Sequence, residues 1–159
     1  MEYVISGTVV YGDEFELMQG YVAIKDGIIS EIGTGKVESV AEGIIIPAFV
    51  NAHTHIGDSI EKDVPFMTLD ELVGPGGLKH RILKETAYND LVDSMRLAIS
   101  DMISCGTALF ADFRESGVMG VEALREAVSG SPIDVSIFGR QLKSGNSTLD
   151  ELLLKADGL

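Results

Sequence analysis

Seven consecutive apolar residues, Ile44-Ile45-Ile46-Pro47-Ala48-Phe49-Val50, place the strongest constraint on how this chain folds. A run with no polar face calls for burial on both sides, the condition of a strand inside a parallel sheet covered by helices. The residues that follow keep to that architecture. A long connection from about Ile56 to Thr86, containing Gly74-Pro75-Gly76-Gly77, leads to Leu91, Met95, Ala98, Met102 and Ile103 at helical spacing. Asn89 or Asp90 stands where a cap belongs, and the pattern stops at Gly106. Ala108 to Phe113 reads as a second buried strand, and Val121, Leu124 and Val128 share one face of a helix ending near Gly130. Ile133 to Phe138 reads as a third strand. Ser147 with Asp150 forms a capping-box pattern that opens a helix through Lys155, with Gly158 at its C-terminal stop. From Gly43 onward the order is βαβαβα, which means a parallel sheet with crossover helices.

The residues before Gly43 differ in character. Tyr3 to Ser6, Thr8 to Tyr11, Gly20 to Ile24 and Ile28 to Ile32 are β-branched or aromatic runs separated by turn residues. Asp26-Gly27 between Ile24 and Ile28 is a hairpin signal, because glycine accepts the positive φ of a tight turn. A small antiparallel sheet over 1–43 and an α/β unit over 44–159 are expected. A closed (β/α)₈ barrel needs about 250 residues, so 44–159 has room for only about three βα units. The second unit is therefore either a small open α/β sheet or the N-terminal part of a barrel that this chain does not complete.

Composition excludes several classes. A content of 45% apolar and 23% charged residues is globular rather than disordered. The formal net charge of −13, with no run of basic residues, argues against nucleic acid or an anionic membrane as partner. Cys105 is the single cysteine, so neither an internal disulfide nor a thiolate cluster can form; a buried, inert thiol is expected. The N-terminal residues show no basic segment followed by an apolar one, and no apolar run approaches the roughly 20 residues that span a bilayer. A soluble, cytoplasmic setting is expected.

His53-Thr54-His55 directly follows the apolar run. Residues i and i+2 of an extended backbone point to the same side, so both imidazoles face one space. That space lies at the carboxyl end of a strand, where α/β sheets and barrels place their active sites. Two imidazoles on a stiff strand are pre-positioned for Zn²⁺ or a related divalent ion, iron and manganese included.

The segment Ile46-Pro47-Ala48-Phe49-Val50-Asn51-Ala52-His53-Thr54-His55 resembles the P-G-[FL]-V-[ND]-x-H-x-H motif of the amidohydrolase superfamily. Ala48 replaces the usual glycine. The run from Ile24 to Gly33 also looks like that family's N-terminal sheet, and the motif is most similar to the chlorohydrolase and nucleobase or adenosine-type deaminase branch. The resemblance implies a partial β-sandwich beside a (β/α)₈ barrel that holds one or two metal ions. It matches His53 and His55 to the first two ligands, and it places the remaining ligands and the general acid or base on later strands that have no counterpart here. The implied reaction is hydrolysis of a C–N bond in a small molecule, by deamination or cyclic amide opening.

Three further residues are candidate substrate contacts: His80 in the long connection, and Arg114 and Arg140 at the ends of the second and third strands. A guanidinium fork suits an anionic or carbonyl-bearing substrate. The alternatives are a solvated His80 and, for Arg114 and Arg140, a structural ion pair, for example with Asp112 or Glu115, or plain solvation. A non-catalytic fragment or binding module, completed by a missing C-terminal half, a second chain or a homo-oligomeric copy, is the rival to the enzyme reading. Metal storage or transport would need denser His, Cys or Met clustering.

Overall fold

The computed structural model describes residues 2–141 and 149–159. The chain forms two compact units, Met1–Ala48 and Phe49–Leu159. In the first, β1 (Glu2–Tyr11), β2 (Glu16–Lys25), β3 (Ile28–Thr34) and β4 (Ala41–Ile45) form one sheet in the order β3-β2-β1-β4. Asp26 (φ 52°) and Gly27 (φ 81°) both take left-handed backbone, the requirement of the two-residue hairpin expected there. The expected antiparallel sheet is mixed instead: β1–β2 and β2–β3 are antiparallel, but β4 runs parallel to β1 from Ile5↔Ala41 to Val9↔Ile45.

The apolar run 44–50 is not one strand. Ile44 and Ile45 end β4, and Phe49 begins β5 (Phe49–Thr54) in the other unit. Pro47 between them has a fixed φ and no N–H to give a ladder, so a continuous strand through it is disfavoured. Burial on both faces fails with it: Ile44 is 76% and Val50 62% exposed.

In the second unit β5, β6 (Thr107–Arg114) and β7 (Asp134–Gly139) form a parallel sheet in that order. Between β5 and β6 lie a 3₁₀ turn (Ile56–Ile60), α1 (Leu69–Val73), α2 (Leu78–Glu85) and α3 (Tyr88–Ser104). The connection from Ile56 to Thr86 is thus largely structured. Thr68 opens α1 with a reciprocal capping box, its hydroxyl accepting from the Glu71 N–H and its own N–H donating to the Glu71 carboxylate. α4 (Gly117–Val128) joins β6 to β7, and α5 (Leu149–Lys155) follows β7.

Several local expectations change. The N-cap of α3 is Ala87, with no side-chain cap; Asn89 and Asp90 lie inside the first turn, where Asp90 faces the positive helix end. Cys105 is exposed, because it is the C-cap of α3 at the surface and not a residue of its apolar face. Gly158 does not end α5. It bridges Phe138, and its carbonyl accepts from the Gly139 N–H. Ser147, of the proposed capping box, lies outside the described residues. Among the described residues no helix is long and apolar enough to cross a membrane.

The helices cover one face of this sheet. Leu91, Met95 and Ile99 recur every four residues on α3 and meet Phe110 of β6, Val121 and Leu124 of α4, Ile137 of β7 and Leu152 of α5. All are at most 3% exposed. Phe110→Ala would leave a cavity at the centre and should cost about 3–5 kcal/mol. Leu97→Ala, on the exposed side of α3, should change stability by no more than about 0.5 kcal/mol. Urea denaturation of the two variants distinguishes them; equal losses would show that the core lies elsewhere.

Candidate metal centre

Parallel register sorts the strand ends into two faces. Thr54 pairs with Asp112 and Asp112 with Ile137, and these side chains point toward the helices. Phe113 pairs with Phe138, and these next residues along β6 and β7 point the other way, together with His53 and His55. The sheet therefore presents two imidazoles and two phenyl rings on one face.

The imidazoles converge. His53 Nε2 lies 3.3 Å from His55 Nε2, with ring centroids 5.2 Å apart. Two nitrogen ligands at about 2.0–2.1 Å from one tetrahedral ion stand about 3.3–3.4 Å apart, so the pair has the spacing that a single Zn²⁺ requires. His55 Nδ1 lies 2.9 Å from the Phe113 carbonyl oxygen, which can only accept. Nδ1 therefore carries the proton, and the Nε2 lone pair faces His53. His53 stacks on the Phe113 ring at 4.4 Å. Among the described residues no group of three or more His, Cys, Asp or Glu is placed to hold a metal ion.

Beneath the histidines lies a charged network in which the ion pairs of Arg114 with Asp112 and Glu115 match the alternative expected from the sequence, while Lys79 and Asp58 were not foreseen. Asp112, fully buried, accepts from Thr54 Oγ1 (2.9 Å) and from the Ile56 backbone N–H (2.7 Å). Arg114, 1% exposed, sits 3.3 Å from Asp112 and donates to Glu115 at 2.9 Å. Lys79 of α2 bridges Glu115 (2.7 Å) and Asp58 (2.9 Å), and Glu115 comes within 3.4 Å of His55 Nδ1. Burial pushes the Asp112 carboxyl above its usual range, against the pull of Arg114, Ile56 and Thr54. Burial acts the same way on Glu115, but the hydrogen bond and charge of Lys79, with Arg114, outweigh it and hold this carboxyl low. Gly57 admits the guanidinium: a methyl group there would lie 2.4 Å from Arg114 nitrogens.

Arg114 is thus buried and held in ion pairs. It takes the ion-pair alternative, because residue 114 shares the parity of Phe110 and Asp112 and turns into the helix layer. That parity was readable from the sequence. His80 and Arg140 are brought together instead. Half-buried His80 on α2 and exposed Arg140 after β7 line one open groove of about 1210 Å³, along with Glu115 and Ser116.

Arg114→Met should cost about 3–5 kcal/mol, since Asp112 would be left without its buried counter-charge and Glu115 would keep only Lys79, whereas exposed Arg140→Ala should be near neutral. Thermal melts decide. The lowered Glu115 pKa adds stability that is present above the unfolded-state pKa and lost as pH falls through the lower folded value. Glu115→Gln should therefore flatten the pH dependence of Tm across the carboxylate range; an unchanged slope would show that Glu115 is not held low.

Residues 44–155 match the amidohydrolase family. An uncharacterised protein of Methanocaldococcus jannaschii is 38% identical over 156 residues, covering 94% of this chain and 41% of that protein. The 5-methylthioadenosine/S-adenosylhomocysteine deaminase of Pyrococcus furiosus is 30% identical over 118 residues, 67% of this chain and 27% of the enzyme. Among solved structures, atrazine chlorohydrolase from Arthrobacter aurescens complexed with zinc superposes with a TM-score of 0.67 at 16% identity, over 89% of this chain and 36% of that one. The chain thus spans about two fifths or less of the length of each.

Proposed function

The chain belongs to the amidohydrolase family, and from that premise we propose that it is the N-terminal part of a metal-dependent hydrolase that cleaves non-peptide C–N bonds in small molecules. The observation that carries this reading is the 3.3 Å approach of the His53 and His55 Nε2 atoms, the spacing of two ligands on one ion. The three parallel strands would be the first of a (β/α)₈ barrel, and the mixed sheet before them part of a β-sandwich. Similarity to enzymes named as deaminases of 5-methylthioadenosine and S-adenosylhomocysteine favours deamination, with a nucleoside-like substrate.

His53 and His55 would hold the ion, zinc being the first choice because imidazole suits it and the zinc-complexed neighbour shares the fold. A divalent ion in this position supplies Lewis acidity that brings the ionisation of water to about pH 7. The chain's own residues set up the rest. The Phe113 carbonyl keeps His55 in the tautomer whose Nε2 is free, and Glu115 reinforces that proton's position from 3.4 Å. His80 and Arg140, on one groove, are placed to meet polar groups of a small substrate. Further ligands and a general acid would come from segments that complete the barrel, whether in the same polypeptide or from a partner.

Calorimetric titration of the chain with Zn²⁺ should show one weak site that His53→Ala and His55→Ala each abolish. Ammonia release from a panel of purine nucleosides should be negligible for the chain alone and appear when the rest of a barrel is supplied. Zinc binding indifferent to both histidines would end the metal reading; robust turnover by the chain alone would end the incomplete-barrel reading.

A further inference from the structure

Phe113 touches both histidines, and in two chemically different ways. Its phenyl ring stacks on the His53 ring with centroids 4.4 Å apart and planes at 30°, while its backbone carbonyl oxygen lies 2.9 Å from His55 Nδ1. Behind it, Phe138 stacks on the opposite side at 5.1 Å and 17°. The rings thus run His53, Phe113, Phe138 across β5, β6 and β7. Register makes this arrangement stiff, since Phe113 and Phe138 are direct partners in the β6–β7 ladder.

Two imidazoles on one strand do not by themselves form a chelate. Each ring turns about its own χ2, a broad and nearly two-fold torsion. The Nε2 atoms converge only when both torsions are set together. The His55 torsion is set by the hydrogen bond to the Phe113 carbonyl at 2.9 Å, with Glu115 farther off at 3.4 Å from the same nitrogen. His53 is exposed, and the surface that limits its rotation is the flat face of Phe113.

We propose that Phe113 is the positioning residue for the histidine pair: its ring, braced by Phe138, fixes the His53 plane, and its carbonyl fixes the His55 tautomer. The proposal rests on the reading of His53 and His55 as metal ligands and names the residue that pre-organises them. Such outer contacts are worth about 10–100-fold in metal affinity when lost.

Phe113→Leu removes the flat face and keeps the carbonyl. Zn²⁺ affinity of the full 159-residue chain should then fall about 10–100-fold, and the visible absorption of bound Co²⁺, which reports ligand geometry, should change. Phe113→Tyr retains the ring and should restore both. Wild-type affinity in Phe113→Leu, or equal losses in the Leu and Tyr variants, would overturn the proposal, because a merely structural role would alter Tm and leave Co²⁺ absorption unchanged. Where Phe113→Leu does not fold, Phe138→Leu carries the test: weakened Zn²⁺ binding supports the brace, and unaltered binding refutes it. Nitrogen-15 NMR of the imidazoles without metal separates this proposal from the metal reading. It should find His55 protonated at Nδ1 and His53 protons shifted upfield by the Phe113 ring. Absence of either signal sinks the proposal even if zinc binds, and their presence without zinc binding sinks the metal reading alone.

Discussion

Parallel pairing of β5 with β6 and of β6 with β7 fixes which side chains meet, because partners in register share a face of the sheet and their immediate neighbours take the other. The facing of the chemically important strand residues follows from that alternation. Thr54, Asp112, Arg114 and Ile137 lie under the helices; His53, Phe113 and Phe138 lie opposite. A slip of one residue in β6 would bury Phe113 and aim Asp112 and Arg114 at the histidines. Asp112 pins the register by accepting from Thr54 and from the backbone of Ile56.

Burying Arg114, Asp112 and Glu115 has a desolvation cost that ion pairing only partly offsets. The network therefore makes more sense as a device for geometry than for stability. It ties together three stretches far apart in sequence: the end of β5 with the adjoining 3₁₀ turn and Asp58, α2 with Lys79, and the end of β6 with Glu115. The segment between β5 and β6 is held down at its middle by Lys79, and His80 next to it is thereby carried to the groove that Arg140 also borders. Membership of the amidohydrolase family fits a site built at strand carboxyl ends. The chain covers about two fifths or less of these longer relatives.

Much of this was legible in the sequence. The βα alternation after residue 49, the Asp26-Gly27 hairpin and the placement of His53 and His55 on one side all follow from periods of two and 3.6 residues. The errors have a common origin. Hydropathy reads Ile44 to Val50 as one strand because it does not see that Pro47 interrupts the ladder or that β4 finds its partner in β1. Position at a strand end suggested a substrate contact for Arg114 beside the ion-pair alternative, although its parity with Phe110 already pointed into the core.

Sequence alone determined the local periodicities, the placing of the two histidines on one side of a strand and the family, since each is written in neighbouring residues. Only tertiary structure decided that the two Nε2 atoms converge, that Phe113 touches both rings, and that Lys79, Asp58, Glu115 and Arg114 form one network. The physical reason is range. A strand fixes which side a residue faces, but a side-chain torsion and a buried charge are settled by partners some 60 residues away, whose positions depend on how the strands align.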